Sequence, residues 1–254
     1  MIYFLNSLDK KTKEDISIYT SKFNTIDLHV RNMFNYSEYI QKTISKDMKN
    51  IITNDINKID QKLGSYKNLY NIPWKIAILQ KDVENNLPHT HNDIIFLPYS
   101  FLHLDEYSRQ DTLLHEKIHL YQRKYPIHTQ LLFTTYWLII PYSLRTYEKP
   151  NRSNPDINHI IYSYFSPKQN QYVHTIAQYN PYATKIKDSY VKKFTSENIH
   201  FGKNSDIYYS IIHDFDIKQI EHPNEVMACL ITDIIIKDVD HETTMNWMIK
   251  YFNE

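Results

Sequence analysis

The pattern His115-Glu116-Lys117-Ile118-His119 constrains this chain more than any other stretch of it. On an α-helix, side chains four positions apart leave the same face, so both imidazoles can close on one small cation. Glu116 is rotated by about 100° from His115. That sets it beside such an ion and not on it, where a general base for an activated water belongs. A catalytic zinc takes three protein ligands and keeps one position open. Whatever the fold, it must return a third ligand to this helix from elsewhere in the sequence. The only cysteine, Cys229, rules out both a cysteine-based zinc cluster and an internal disulfide framework, and suits a reducing compartment. The donors left are His, Asp and Glu.

Local signals place the motif. Ser108-Arg109-Gln110-Asp111 has the form of a capping box with Asp at N3, and Pro126 closes the far end, so a helix from Ser108 to Lys124 is expected. Upstream, Ile40, Ile44, Met48, Ile51, Ile52, Ile56, Ile59 and Leu63 recur at helical spacing. They predict a long amphipathic helix from Ser37, ended by Gly64 in a left-handed C′ conformation. Trp74 to Leu79 and Ile94 to Pro98 read as strands that can pair as an antiparallel hairpin across the polar region Gln80 to His91. Before Asn35 the pattern is mixed, with short strands expected at Ile2 to Leu5 and Ile26 to Val30. The window Tyr125 to Leu144 holds no Asp, Glu, Lys or Arg, and its length would just span a bilayer. Its prolines, threonines, His128 and Gln130 make it a buried core helix in this reading, not a membrane span. Tyr147 to Gln171, with Pro150, Pro155 and Pro167, reads as loop; the Tyr-rich remainder to Asp216 shows no clear period.

Lys+Arg 29 balance Asp+Glu 29, so no overall field directs the chain to nucleic acid or an acidic membrane. At 254 residues and 42% hydrophobic it can form one large domain or two subdomains about a cleft. With only 2 Gly, turns must rest on Asn, Asp and the 10 Pro. The segment Met1 to Ser7 lacks the basic region and apolar length of a signal peptide, so an intracellular location is expected, or a virion if the source is viral.

The order of long helix, strands and HExxH helix resembles the N-terminal half of the zincin metallopeptidases. The resemblance implies a twisted sheet carrying the active-site helix, with Asp93 to Leu97 as the edge strand that pairs with extended substrate. A plain buried hairpin accounts for the same strand pattern. The metzincin branch would require Gly and His where Gln122 and Tyr125 stand, and so does not fit. Glu221 to Asp233 instead resembles the gluzincin Asn-Glu-x-x-Ala motif through Asn224, Glu225 and Ala228. By that resemblance Glu225 joins His115 and His119 on one catalytic Zn²⁺. The apolar neighbours Val226, Met227, Leu230 and Ile231 also make Glu225 an acid beside a buried surface, a cost that a dication offsets. An acid in a first helical turn has a second account, stabilising the helix dipole. Glu221, one turn earlier, is the rival third ligand. Lys117 departs from the extended zincin signature, and the stretch from His119 to Glu225 is longer than in many gluzincins.

The expected fold is α+β and zincin-like. Residues 1–126 would form an N-terminal subdomain with a helix and small twisted sheet, residues 127–254 a mainly helical subdomain, with the active-site cleft between them. The expected function is a zinc metallopeptidase acting on a peptide or protein, with Glu116 as general base and no nucleic-acid or membrane partner. Tyr182, Tyr208, Tyr209, His213, Arg145 and Arg152 are eligible oxyanion donors. His89 and His91 are expected in an exposed turn, Cys229 as a small buried hydrophobe, and Asp233 as a partner for a ligand imidazole. The alternative is a non-catalytic zincin-fold protein with a structural or binding role, as in a viral particle.

Overall fold

The computed structural model describes residues 1–33, 38–199, 205–237 and 250–253. Its first part is organised on a four-stranded sheet of β1 (Ile2–Leu5), β2 (Trp74–Ile78), β3 (His89–His91) and β4 (Ile94–Leu97), ordered β1-β2-β4-β3. β1, β2 and β4 are parallel, with Ile2 opposite Trp74 and Ile76 opposite Ile95; β3 runs antiparallel, with His89 opposite Phe96. Alternation along the strands divides their side chains between two cores. Ile76, Ile78, Ile95 and Leu97 enter the main core, while Ala77, Leu79, Ile94 and Phe96 enter a smaller one on the other face. A sheet buried on both faces needs helices on both, as parallel sheets generally do. Ile16 of α1 (Lys10–Thr20) packs in the smaller core, and α3 (Lys46–Lys62) and α5 (Glu106–Lys124) pack in the main one. The short α2 (Thr25–Val30) and α4 (Lys67–Tyr70) connect these layers.

Several expectations are corrected here. Trp74 and Ile94 begin parallel strands, not a hairpin, and β4 lies inside the sheet, so Asp93 to Leu97 is no edge. The edge beside β4 is β3, which folds back onto β4 through Asn92 at φ 51, a left-handed turn conformation that Asn tolerates. α3 starts at Lys46 because the Ser45 hydroxyl accepts from the Met48 N–H at 3.1 Å. Ile40 instead bridges to Leu79, and Ser37 lies outside the described residues. Gly64 has no left-handed conformation: the helix tightens into a 3₁₀ turn, Leu63–Ser65. Residues 26–30 are helical because Asn24 Oδ1 accepts from the N–H groups of Ile26 and Asp27. α5 is capped by Asp105, which accepts from Ser108 N–H at 2.9 Å, and so begins before Ser108.

The window Tyr125 to Leu144 is not one core helix. It divides into α6 (Pro126–Leu131), a π turn at Leu132–Tyr136 and β5 (Ile140–Leu144). Among the described residues no helix is long and apolar enough to cross a membrane. Nor are the described residues of the second part helical alone: they include a four-stranded sheet. β5 pairs with β6 (Ile160–Ser166), then β7 (Gln171–Tyr179) and β8 (Ser189–Thr195) follow in an antiparallel meander. β7 is buried over most of both faces, which removes the alternation that would have marked it in the sequence. Two helices complete the chain's described core, α7 (Ile207–Asp214) and α8 (Pro223–Lys237). α8 is apolar nearly all round, as a central helix must be, and packs directly on α5.

Candidate metal centre

The α5–α8 contact brings together residues 110 positions apart in sequence. His115 and His119 project from one face of α5, their rings 4.8 Å apart and their Nε2 atoms separated by 3.0 Å. The first turn of α8 presents Glu225, whose Oε2 lies 3.2 Å from His115 Nε2 and 3.6 Å from His119 Nε2. That turn is fixed by His222, whose Nδ1 accepts the Asn224 N–H at 3.0 Å. Burial holds the His222 pKa down to about 3, so the ring is a neutral acceptor. Ligands around a tetrahedral ion with bonds of about 2.0–2.1 Å stand about 3.3 Å from one another. The three separations fall about that value, so the donor set suits one small tetrahedral dication.

Neighbouring amides orient the set. Gln122 Nε2 donates to the Asn224 carbonyl at 2.9 Å, which turns its Oε1 toward His119 Nδ1, also at 2.9 Å. Nδ1 of His119 therefore carries the proton given to Gln122, which leaves Nε2 as the nitrogen that can turn a lone pair to a metal. Asn154 Nδ2 donates to Glu225 Oε1 at 2.7 Å, leaving Oε2 to face the imidazoles. Cys229 Sγ lies 4.0 Å from His115 Nδ1, and burial pushes its thiol pKa up.

The centre gathers three buried carboxyl groups about one imidazole. Glu116, Glu225 and Asp156 all surround His119. Burial alone would lower the His119 pKa, but these carboxylates drive it up to about 10. Burial likewise opposes ionisation of Glu225, and His119 and His115 overcome it, holding the carboxyl well below the usual range. Glu116 goes the other way: burial, then Asp156, push it well above an ordinary carboxylate. Its Oε2 is buried without a hydrogen-bond partner. An orphaned carboxylate oxygen beside two imidazoles and a second carboxylate is what a cation or its bound water would satisfy.

These groups line a cleft of about 430 Å³. Of the oxyanion candidates, Arg152 reaches it, ion-paired to Glu221 and with Nη1 3.2 Å from Ser189 Oγ. That pairing engages the rival ligand Glu221, which is absent from the His115, His119, Glu225 set. Tyr182 is 94% exposed, Tyr208 is buried in the main core, Tyr209 and His213 pack together with their rings tilted by 50°, and Arg145 donates to the Arg152 carbonyl at 2.8 Å; none of the five lines the cleft. Asp233 pairs with Lys237 at 2.5 Å and not with an imidazole. Lys117 points away from the centre, donating to the Ile72 carbonyl at 2.6 Å and lying 4.0 Å over the Trp74 ring. Burial lowers its pKa to about 7, which reconciles a lysine with an apolar position.

His89 and His91 are not exposed. Both are buried on β3, His89 against Tyr39 at 2.8 Å and His91 against Asp15 at 3.1 Å, and His89 lines the cleft. Sequence reasoning missed Gln122 as a partner of His119, although their three-residue helical spacing was a usable signal. Asn154 and Asp156 sit in irregular chain with no period to reveal them. Compared with known proteins, the chain matches no family model, no curated protein and no solved structure.

Proposed function

We propose that this chain is a zinc-dependent peptidase of gluzincin type, with His115, His119 and Glu225 as ligands and Glu116 as general base. One observation carries the reading: three nitrogen and oxygen donors from two distant helices converge within 4.8 Å of one another, at a cleft. The chemistry zinc supplies in such a set is Lewis-acid polarisation of a carbonyl and acidification of water. Glu116 then takes a proton from the attacking water at its unpartnered Oε2 and delivers it to the leaving amine. Gln122 and Asn154 hold His119 and Glu225 in place throughout.

Glu116→Gln should retain stoichiometric zinc and lose about 10²–10⁴-fold in kcat against a peptide library. Glu225→Ala should lose zinc as well as turnover. Both are read by metal analysis of the purified protein beside the peptide assay. Stoichiometric zinc in Glu225→Ala overturns the ligand assignment; zinc-replete wild type that cleaves no peptide overturns the peptidase and favours a metal-bearing binding protein.

A further inference from the structure

The sheet edge beside the centre is already taken. In an antiparallel pair, alternate residues turn both backbone groups toward the partner strand or away from it. β3 has 3 residues, and the backbone groups of its middle one, Thr90, are turned away from β4. Its N–H donates to Asp156 Oδ1 at 2.9 Å, and its carbonyl accepts from Arg123 Nη2 at 2.8 Å. An extended polypeptide adds to a sheet through such free groups. Here both are filled by side chains of the same molecule.

The segment that supplies Asp156 is tied down at each end. Arg123 Nη2 also donates to the Pro155 carbonyl at 2.7 Å, and Asn224 Nδ2 donates to the Asp156 carbonyl at 3.0 Å. At the near end, the Ser153 N–H and Oγ donate to Asp27 at 3.2 and 2.8 Å. Residues 152–156 thus form a strap across the groove along α5. A second cavity of about 340 Å³, reaching Phe133 and Ile160, lies at the strap's other side; Pro155 and Asp156 are the residues it shares with the metal-centre cleft.

Resting on the peptidase reading above, we infer that this centre acts on short peptides or on the end of a chain, and not on internal bonds of a polypeptide laid along the sheet. The strap removes the pairing edge and divides the groove. What remains, about 430 Å³, is the size of site that encloses one small ligand. Arg123 and Asp156 are then the residues that set substrate length.

The test is a nested series of peptides, from three residues to about twenty, sharing one central sequence, with denatured casein as the longest chain. Turnover by zinc-loaded wild type is measured, and binding of the same series as C-terminal hydroxamates is measured by calorimetry. Wild type should lose about tenfold or more in kcat/KM, and in hydroxamate affinity, as peptides outgrow the cleft. Arg123→Ala, which frees the Thr90 and Pro155 carbonyls, should recover the long members and speed hydrogen exchange at the Thr90 amide. Equal or better handling of long chains by wild type overturns the inference, as does a hydroxamate series that binds without length ranking or not at all. Length-ranked binding without turnover overturns the peptidase reading alone. The wild-type ranking decides even if Arg123→Ala fails to fold.

Discussion

Gln122 shows how much of the proposed metal centre would rest on a residue that does not touch the ion. A histidine offers one lone pair, and the hydrogen bond on its other nitrogen decides which. Gln122 makes that choice for His119, and its own amide is oriented by the Asn224 carbonyl at the start of α8. Gln122→Met keeps the volume and removes the acceptor. Zinc affinity should fall about 10–100-fold, read by competition with a chromophoric chelator, with circular dichroism confirming the fold. Gln122→Glu retains an acceptor oxygen for His119 but loses the amide that donates to the Asn224 carbonyl, so its affinity should lie between those of Gln122→Met and wild type. Unchanged affinity in Gln122→Met would mean that the His119 tautomer is set by something else. Glu116 illustrates the opposite case, a group the fold leaves unsatisfied. A buried polar atom without a partner costs about 1–3 kcal/mol, and such conflicts concentrate where function and stability diverge.

At the scale of elements, the centre depends on how closely α8 approaches α5. Ala228 lies three positions after Glu225, on the same helical face, and is fully buried in the main core. Ala228→Leu adds a branched side chain to a packed contact, which costs about 1–3 kcal/mol. It should also move Glu225 off the imidazoles, so zinc affinity should fall with stability in chelator competition and urea titration. Lost stability with unchanged affinity would separate the interface from the site. The two helices were legible in the sequence because each carries its own short-range record: His115 and His119 share a face by spacing, and Asn224, Glu225 and Ala228 form a compact motif. β1, β2 and β4 were legible as apolar runs, but their parallel order was not, since a strand's sequence does not name its neighbour. α2 was misread because the single cap Asn24 outweighs the alternation of residues 26–30. His89 and His91 were read as exposed because Tyr39 and Asp15, which bury and pair them, come from far upstream. The strap of residues 152–156 left no trace at all, being held by side chains of Asp27, Arg123 and Asn224 from three other parts of the chain.

For the whole molecule, the centre is a joint between the two parts. Two of the proposed ligands stand on α5, which packs on the first sheet, and the third on α8, which follows the second sheet. Without an ion, burial and Asp156 push the Glu116 carboxyl well above the ordinary carboxylate range, a cost that a cation at the joint would relieve. An ion bound by the folded state and not by the unfolded chain stabilises it by about 2.7 kcal/mol at a hundredfold excess over Kd. In a chain of this size each kcal/mol moves Tm by about 2–4 °C. Removing zinc with a chelator should therefore lower Tm by roughly 5–10 °C, and restoring zinc should reverse the loss. Glu225→Ala should show little of this dependence, because its joint cannot close on the ion. Hydrogen exchange on the chelated protein should quicken at the facing turns of both α5 and α8, around residues 112–122 and 223–229. A zinc-loaded protein whose Tm ignores the chelator, under conditions where metal analysis shows the zinc removed, would mean that the two parts are held together by their apolar contact alone.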